Sequence, residues 1–270
     1  MKEVFTMWRH TQLVVLTALS AAIYAAVLIP FKGFPIVPGF IELRPANVFP
    51  VVFGLLFGPA GAWGAAIGNL IGDFFGTLTL GSAAGFVGNF FLAYLPYKMW
   101  SAYFRSDENM EQNVDSGKKL AVYIAVAFLA SLVCALIIAW FLALFRLLPF
   151  PAGLALVALN NAIMAIVLGP VLLLALYPRV KRWGLLWTEI MEPDEVSASN
   201  LRRTGNVLVW VGGAAVGLIL SFTGASPMGA GVGLALIPFL IVIIVAAFML
   251  GGREQVEAAQ EMMESEGSEA

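Results

Sequence analysis

The sequence predicts an all-α integral membrane protein, built as a six-helix bundle followed by a two-helix hairpin. Three observations carry this. Of its 270 residues, 60% are hydrophobic and only 12% charged, and the mean hydropathy is +0.89; a soluble domain carries about 25% charged residues. Apolar stretches long enough to cross roughly 30 Å of hydrocarbon recur along the chain. The charges gather in the segments between those stretches.

The elements follow in order. Residues 11–30 carry no charge. The run is too long for a signal-peptide core and more spans follow it, so it reads as a retained helix. Residues 45–97 contain one charge, Asp73, and break at "FGPAG" and "GTLTLG", which gives three short helices. The first of these, 45–58, is short for a full crossing, and a re-entrant hairpin with its successor is the alternative. Residues 120–145 and 152–177 are uncharged, and 206–222 and 231–250 complete eight spans.

The domain reading is a bundle over 1–182, a cytoplasmic or interfacial linker over 183–205, a hairpin over 206–251 and an acidic cytoplasmic tail over 252–270. Trp183, Leu186, Trp187 and Ile190 suit a segment lying flat at the membrane interface. The glutamate-rich tail is expected to be frayed or disordered. With the N-terminus inside, twelve of the fifteen lysines and arginines fall on the cytoplasmic side; only Lys32, Arg44 and Arg146 fall outside. That bias places both termini of a multi-pass plasma-membrane protein in the cytoplasm.

Scarce polar groups inside apolar helices mark the candidate site. In "GAWGAAIGNLIGDFFG", glycines 64, 68, 72 and 76 form one stripe suited to close helix packing. Asn69 and Asp73 lie on the adjoining face. A carboxylate in hydrocarbon is costly, so Asp73 must face protein or water. It either contacts substrate, or pairs with Arg44 or caps the "GTLTLG" turn. Asn47, Asn69, Asn89, Asn160 and Asn161 are expensive unless hydrogen-bonded. They act as interhelical glue or, with Glu42, Arg44 and Asp73, converge on one cavity open to the outside. Phe31, Phe34, Phe40, Phe74, Phe75 and Phe90 lie near in sequence and suit stacking on a flat ring.

The Pro/Gly-rich loop 31–44 has an apolar centre, "FPIVPGF". It reads as a lid folded over the outer mouth with Glu42 and Arg44 at the rim, or as an ordinary interfacial loop. In the first helix Ala18, Ala22 and Ala26 form one row, with Ala21 and Ala25 beside it, a flat contact surface.

Other classes are disfavoured. The one histidine, His10, falls on the cytoplasmic side, which argues against Ser/His and zinc-protease chemistry. One intramembrane aspartate does not make an aspartyl protease. No GxxxxGK[ST] phosphate loop occurs. Cys134 is the lone cysteine, so no disulfide forms within the chain. No catalytic residues, metal, cofactor or nucleic-acid partner is expected.

"LTALSAAIYAA", the apolar loop and "RPANVFPVVFGLLFGPAGAWGAAIGNLIGD" together resemble the substrate-binding S components of energy-coupling factor (ECF) importers. The most specific stretch is "GLLFGPAGAWGAAIGNLIGD", and the resemblance covers about residues 10–180. The arginine opening the second helix and the "GN…GD" glycines are similar to the branch that takes up queuosine precursors. The resemblance implies a six-helix unit with an outer pocket for a vitamin or similar micronutrient, roofed by loop 31–44. By that resemblance the pocket draws on Phe34, Glu42, Arg44, Asn47, Asn69, Asp73, Asn89, Asn160 and Asn161. It also implies that Ala18, Ala22 and Ala26 dock a transmembrane coupling subunit joined to two cytoplasmic ATPases. Toppling of the S component in the bilayer would then carry substrate inward. The N-terminal histidine ligands of the nickel and cobalt members are lacking, which favours an organic substrate. The last two spans lie outside the usual unit. The alternative is a stand-alone secondary transporter of a small organic solute, for which the expected internal repeat is not seen.

Overall fold

The computed structural model describes residues 2–37, 41–42, 44–76, 78–104, 109–215 and 230–268. The chain is helical, with one small antiparallel hairpin in the loop after the first long helix. That hairpin pairs β1 (Pro35–Val37) with β2 (Ile41–Glu42), Pro35 opposite Glu42.

A short helix α1 (Glu3–Thr6) precedes α2 (Thr11–Leu28), which a 3-10 turn continues over Ile29–Gly33. Next come α3 (Val48–Phe57), α4 (Pro59–Phe74), α5 (Gly81–Trp100), α6 (Gly117–Leu144) and α7 (Phe150–Arg182). After them follow α8 (Trp187–Ile190), α9 (Arg202–Trp210), α10 (Ala230–Met249) and α11 (Arg253–Ser268).

Eight crossings are expected, but among the described residues four helical segments are long and apolar enough by themselves: Thr11–Lys32, Gly117–Leu144, Phe150–Ile190 and Leu234–Ser265. The difference lies in length and composition. At 1.5 Å per residue, α3 spans roughly 15 Å and α4 roughly 24 Å. The helix α5 has the length but mixes glycines, Asn89 and Lys98 into its sequence.

Helices α3 and α4 fold back on each other at Gly58, whose φ of +54° suits glycine. The apex of this helical hairpin lies against Trp187: a Cβ on Gly58 would come within 2.5 Å of the indole. Both open ends therefore lie at the far end of the bundle, where Asn47 precedes α3 and Asp73 ends α4. The glycine stripe does what its spacing predicts. A Cβ on Gly64 would come within 2.4 Å of the Ser20 Cβ, and one on Gly68 within 2.8 Å of the Ala21 carbonyl oxygen. Contact this close between α2 and α4 is possible only without side chains on α4.

Two expectations for the second half are corrected. Trp187 and Leu186 do not lie at a lipid interface. Trp187 is fully buried, its Nε1 donates to Gln112 Oε1 at 3.0 Å, and its ring meets Tyr97 edge-on at 5.2 Å. Trp183 is the exposed one. The tail is not frayed over its described residues but forms α11. Val256 is buried, Ala258 packs on the core, and Gln255 Nε2 donates to the Tyr97 carbonyl at 3.0 Å. That one-sided pattern gives an acidic helix a docking face.

An ion pair knits this end of the bundle. Lys98 Nζ lies 2.8 Å from Glu3 Oε1, both side chains fully buried. The Ser197 backbone N–H and hydroxyl donate to Glu3 Oε2 at 3.3 and 3.1 Å. Burial alone would push the Glu3 carboxyl up; the Lys98 ammonium, the N-terminal charge and hydrogen bonds together outweigh it and hold the carboxyl below the usual range. Helices α9 and α10 pack on the α6 side, while α2 packs on α4. Among the described residues the face of α2 that carries Ala18, Ala22 and Ala26 is exposed.

Candidate functional site

The polar side chains of the apolar helices meet at the other end, about 20 Å along α5 from Lys98 at 1.5 Å per residue. Five segments supply them. Arg44 precedes the 3-10 turn Pro45–Asn47, which presents Asn47 at the start of α3. The last turns of α4 bring Asn69 and Asp73, four residues apart on one face. The first turns of α5 bring Ser82, Gly85 and Asn89. Helix α7 brings Asn160 and Asn161, and α2 brings Tyr24.

Their hydrogen bonds fall into two neighbouring sets, one around Arg44 and Asp73 and one around Tyr24 and Asn161. Arg44 Nη1 donates to Asn69 Oδ1 at 2.9 Å, and Asn69 Nδ2 donates to Asp73 Oδ2 at 3.3 Å. The Arg44 backbone N–H donates to Asn160 Oδ1 at 3.3 Å. The Tyr24 hydroxyl lies 2.8 Å from Asn47 Oδ1 and 2.9 Å from Asn89 Oδ1, so two carbonyls share one proton. Asn47 Nδ2 donates to Asn161 Oδ1, and Asn161 Nδ2 to Cys134 Sγ at 3.3 Å. Asp73 carries the charge: Lys32 Nζ is 2.7 Å from its Oδ1, and Arg44 Nη2 is 3.9 Å away.

Both sets border a cavity of about 600 Å³, open mouth included. Arg44, Asn69, Asp73, Ser82, Asn89, Asn160 and Asn161 line it on the polar side; Ile138, Leu142 and Val157 close the apolar side. Gly85 makes room, since a Cβ there would come within 2.8 Å of Asn69 Nδ2. A guanidinium and several amides can donate, and a carboxylate and amide oxygens can accept. Apolar walls between them suit a small, flat, polar-edged organic molecule. A second hollow, about 550 Å³, lies at the opposite end between α7, α8 and α11. Its Lys181 and Glu111 pair with each other at 2.6 Å, and none of the expected site residues borders it.

The structure brings together Arg44, Asn69, Asp73, Asn89, Asn160 and Asn161, with Asn47 one bond behind the wall. Asp73 lines the cavity and is paired, more closely with Lys32 than with the expected Arg44. Phe34 is not among the described lining residues; it is 61% exposed and touches Phe31 at 6.0 Å. Glu42 pairs with Pro35 through its backbone, and its side chain lies outside the described residues. Of the ring-stacking candidates, Phe40 also lies outside them, and Phe74 and Phe75 are exposed. Phe90 faces away, stacked on Tyr94 at 5.6 Å. The described walls offer no aromatic platform because α4 and α5 turn their amides and glycines inward. Ala18, Ala22 and Ala26 are all exposed, while Ala21 and Ala25 are buried.

Sequence reasoning missed Lys32, Tyr24, Ser82 and Cys134. Tyr24 had a signal: with Ser20, Ala21 and Ala25 it lies on the α2 face that packs on α4. Lys32 had one too, as a lone cation at the edge of an apolar loop.

Apolar helices around a polar, partly open cavity define a multi-pass membrane protein with room for a small molecule. The chain belongs to the QueT transporter family, whose profile matches residues 14–178, more than half of its length. QueT proteins are ECF S components for queuosine precursors. The matched span covers every described residue lining the cavity and stops before α9 and α10. No curated protein and no solved structure matches the chain.

Proposed function

We propose that the chain is the substrate-specific membrane subunit of an ECF-type importer, and that the Arg44–Asp73 cavity binds a queuosine precursor or a closely related organic micronutrient. The observation that carries this is convergence. Arg44, Asn69, Asp73, Asn89, Asn160 and Asn161 come from four separate segments to one cavity. Interhelical glue alone does not require them to share a hollow. In this reading the cavity faces outside and both termini face the cytoplasm, supported by the lysine and arginine bias. The bundle, cytoplasmic linker, C-terminal hairpin and acidic tail keep the boundaries at 182, 205 and 251.

The exposed row Ala18, Ala22 and Ala26 is the docking face for a transmembrane coupling subunit, which two cytoplasmic ATPases drive. Its small side chains would let a second helix approach closely. Support comes from the division of labour on α2, whose other small face is already occupied by α4.

The test is mass spectrometry of whatever co-purifies with the detergent-solubilised protein, followed by equilibrium binding of that molecule without ATP or an ion gradient. Tight binding of a deazapurine-type base supports the reading. Ion-driven uptake into vesicles by this chain alone would contradict it. Ala22→Leu is expected to spare binding and abolish uptake in cells; normal uptake would overturn the docking assignment.

A further inference from the structure

Asp73 is held by a charge that does not belong to the cavity wall. Its close cationic partner among the described residues is Lys32, at 2.7 Å. Lys32 sits in the 3-10 turn Ile29–Gly33, on the loop side of Asp73, and is not one of the described lining residues. Arg44, the wall's own cation, is farther from the carboxylate at 3.9 Å and directs Nη1 to Asn69. The Lys32 and Asp73 side chains are only 6% and 5% exposed, so their pairing is shielded from water.

The path of the lysine is also built. Its stem runs beside Gly76, just past the end of α4. A Cβ on Gly76 would lie 3.3, 3.4 and 3.5 Å from Lys32 Cβ, Cγ and Cδ. A Cβ there would just touch the stem, and any larger side chain at position 76 would have to displace it. Asp73 and Gly76, one turn apart, thus form a seat: the glycine admits the stem and the carboxylate takes the ammonium.

We propose that Lys32 is a tethered counter-ion that sets the charge selectivity of the cavity, holding Asp73 until a ligand brings its own protonated amine. A buried carboxylate cannot be left without a cation at low cost. A neutral ligand therefore leaves Lys32 in place. A ligand carrying an ammonium group exchanges with it, one cation for another, and the lysine leaves with the turn that bears it. Lys32 is a specificity-determining residue, and exchange at Asp73 is what unfastens Ile29–Gly33 from α4. This rests on the reading of the cavity as the ligand site, but its test needs no ligand.

The test reads access of a cation to Asp73. Ser82 lines the cavity and is buried. In a Cys134→Ser background, Ser82→Cys supplies the sole thiol. Its labelling rate in detergent is measured with cationic 2-aminoethyl methanethiosulfonate and neutral methyl methanethiosulfonate, and the ratio of the two rates is compared between variants. Lys32→Met is expected to raise the cationic-to-neutral ratio about tenfold, the scale of one unit charge a few ångströms away. Adding Asp73→Asn is expected to return it. Gly76→Leu changes no charge, but its bulk must displace the stem and should shift the ratio in the same direction, by less, which covers the case in which Lys32→Met does not fold. An unchanged ratio in both Lys32→Met and Gly76→Leu would overturn the proposal. So would a rise that survives Asp73→Asn, because the lysine would then be only a steric plug. Failure of the binding experiment with these ratios intact would instead remove the proposed substrate.

Discussion

Among the described residues two buried ion clusters lie one at each end of α5, and they do different things. At one end Glu3 and Lys98 pair at 2.8 Å with both side chains fully buried. Ser197 closes the remaining side, and α1, α5 and the linker are fastened together. At the other end Asp73 meets Lys32 and Arg44 beside an open-mouthed cavity. The first cluster is filled. The second has adjoining space and takes one described partner from a loop. A buried charge pair is therefore weak evidence for a site. Room beside it, and a partner that can leave, are what separate recognition from structure.

Breaking each cluster should give opposite signatures. The largest effect is expected from Lys98→Met, which strands the Glu3 carboxylate and should cost about 3–5 kcal/mol of stability. Thermal unfolding in detergent measures it, and ligand affinity should not change. Arg44→Ala should do the reverse, preserving expression and weakening ligand binding by about 2–5 kcal/mol, as when one partner of a buried charged contact is truncated. A loss of stability from Arg44→Ala equal to that from Lys98→Met would erase the distinction.

The closed cluster also has a pH signature. The Glu3 carboxyl is depressed in the folded protein. Its contribution is therefore present above the ordinary carboxylate range, about pH 4.3, and is lost as pH falls through the lower folded value. Glu3→Gln should flatten that acid limb in a stability-versus-pH series. Glu111, depressed by Lys181 in the partly exposed hollow at the same end, has the same sign and should contribute less.

A smaller effect sharpens the site itself. Tyr24→Phe removes the proton that Asn47 and Asn89 share and leaves buried carbonyls wanting, at about 1–3 kcal/mol. Because Tyr24 stands behind the wall, that should appear mainly as stability and weakly as affinity. Phe34→Ala should change binding least, since the ring is exposed and touches Phe31 rather than the described cavity wall.

Much of this was legible in the sequence because membrane helices leave few polar groups, and each must have a reason. The amides and Asp73 stood out against apolar runs, and the glycine period foretold a close helix contact on that face of α4, though not that α2 makes it. What was not legible depended on direction around a helix or on distant partners. Nothing local places Phe90 on the back of α5, or brings Lys98 to Glu3, 95 positions away along the chain. Trp187 read as an interfacial anchor because its burial depends on Gln112, Tyr97 and the Gly58 apex, which lie far off in sequence. The tail's acidic composition hid the small docking face of Gln255, Val256 and Ala258. Lys32 was visible as a charge, but not as the partner of Asp73.

The most direct test of the central claim is equilibrium binding of the co-purified ligand to purified Asp73→Asn, side by side with Glu3→Gln and the unaltered chain. Affinity should fall by roughly 30-fold or more in Asp73→Asn, the lower end of a truncated buried charge contact, and stay unchanged in Glu3→Gln. Equal affinity in all three proteins would contradict the assignment of the Asp73 cavity as the place where the ligand binds.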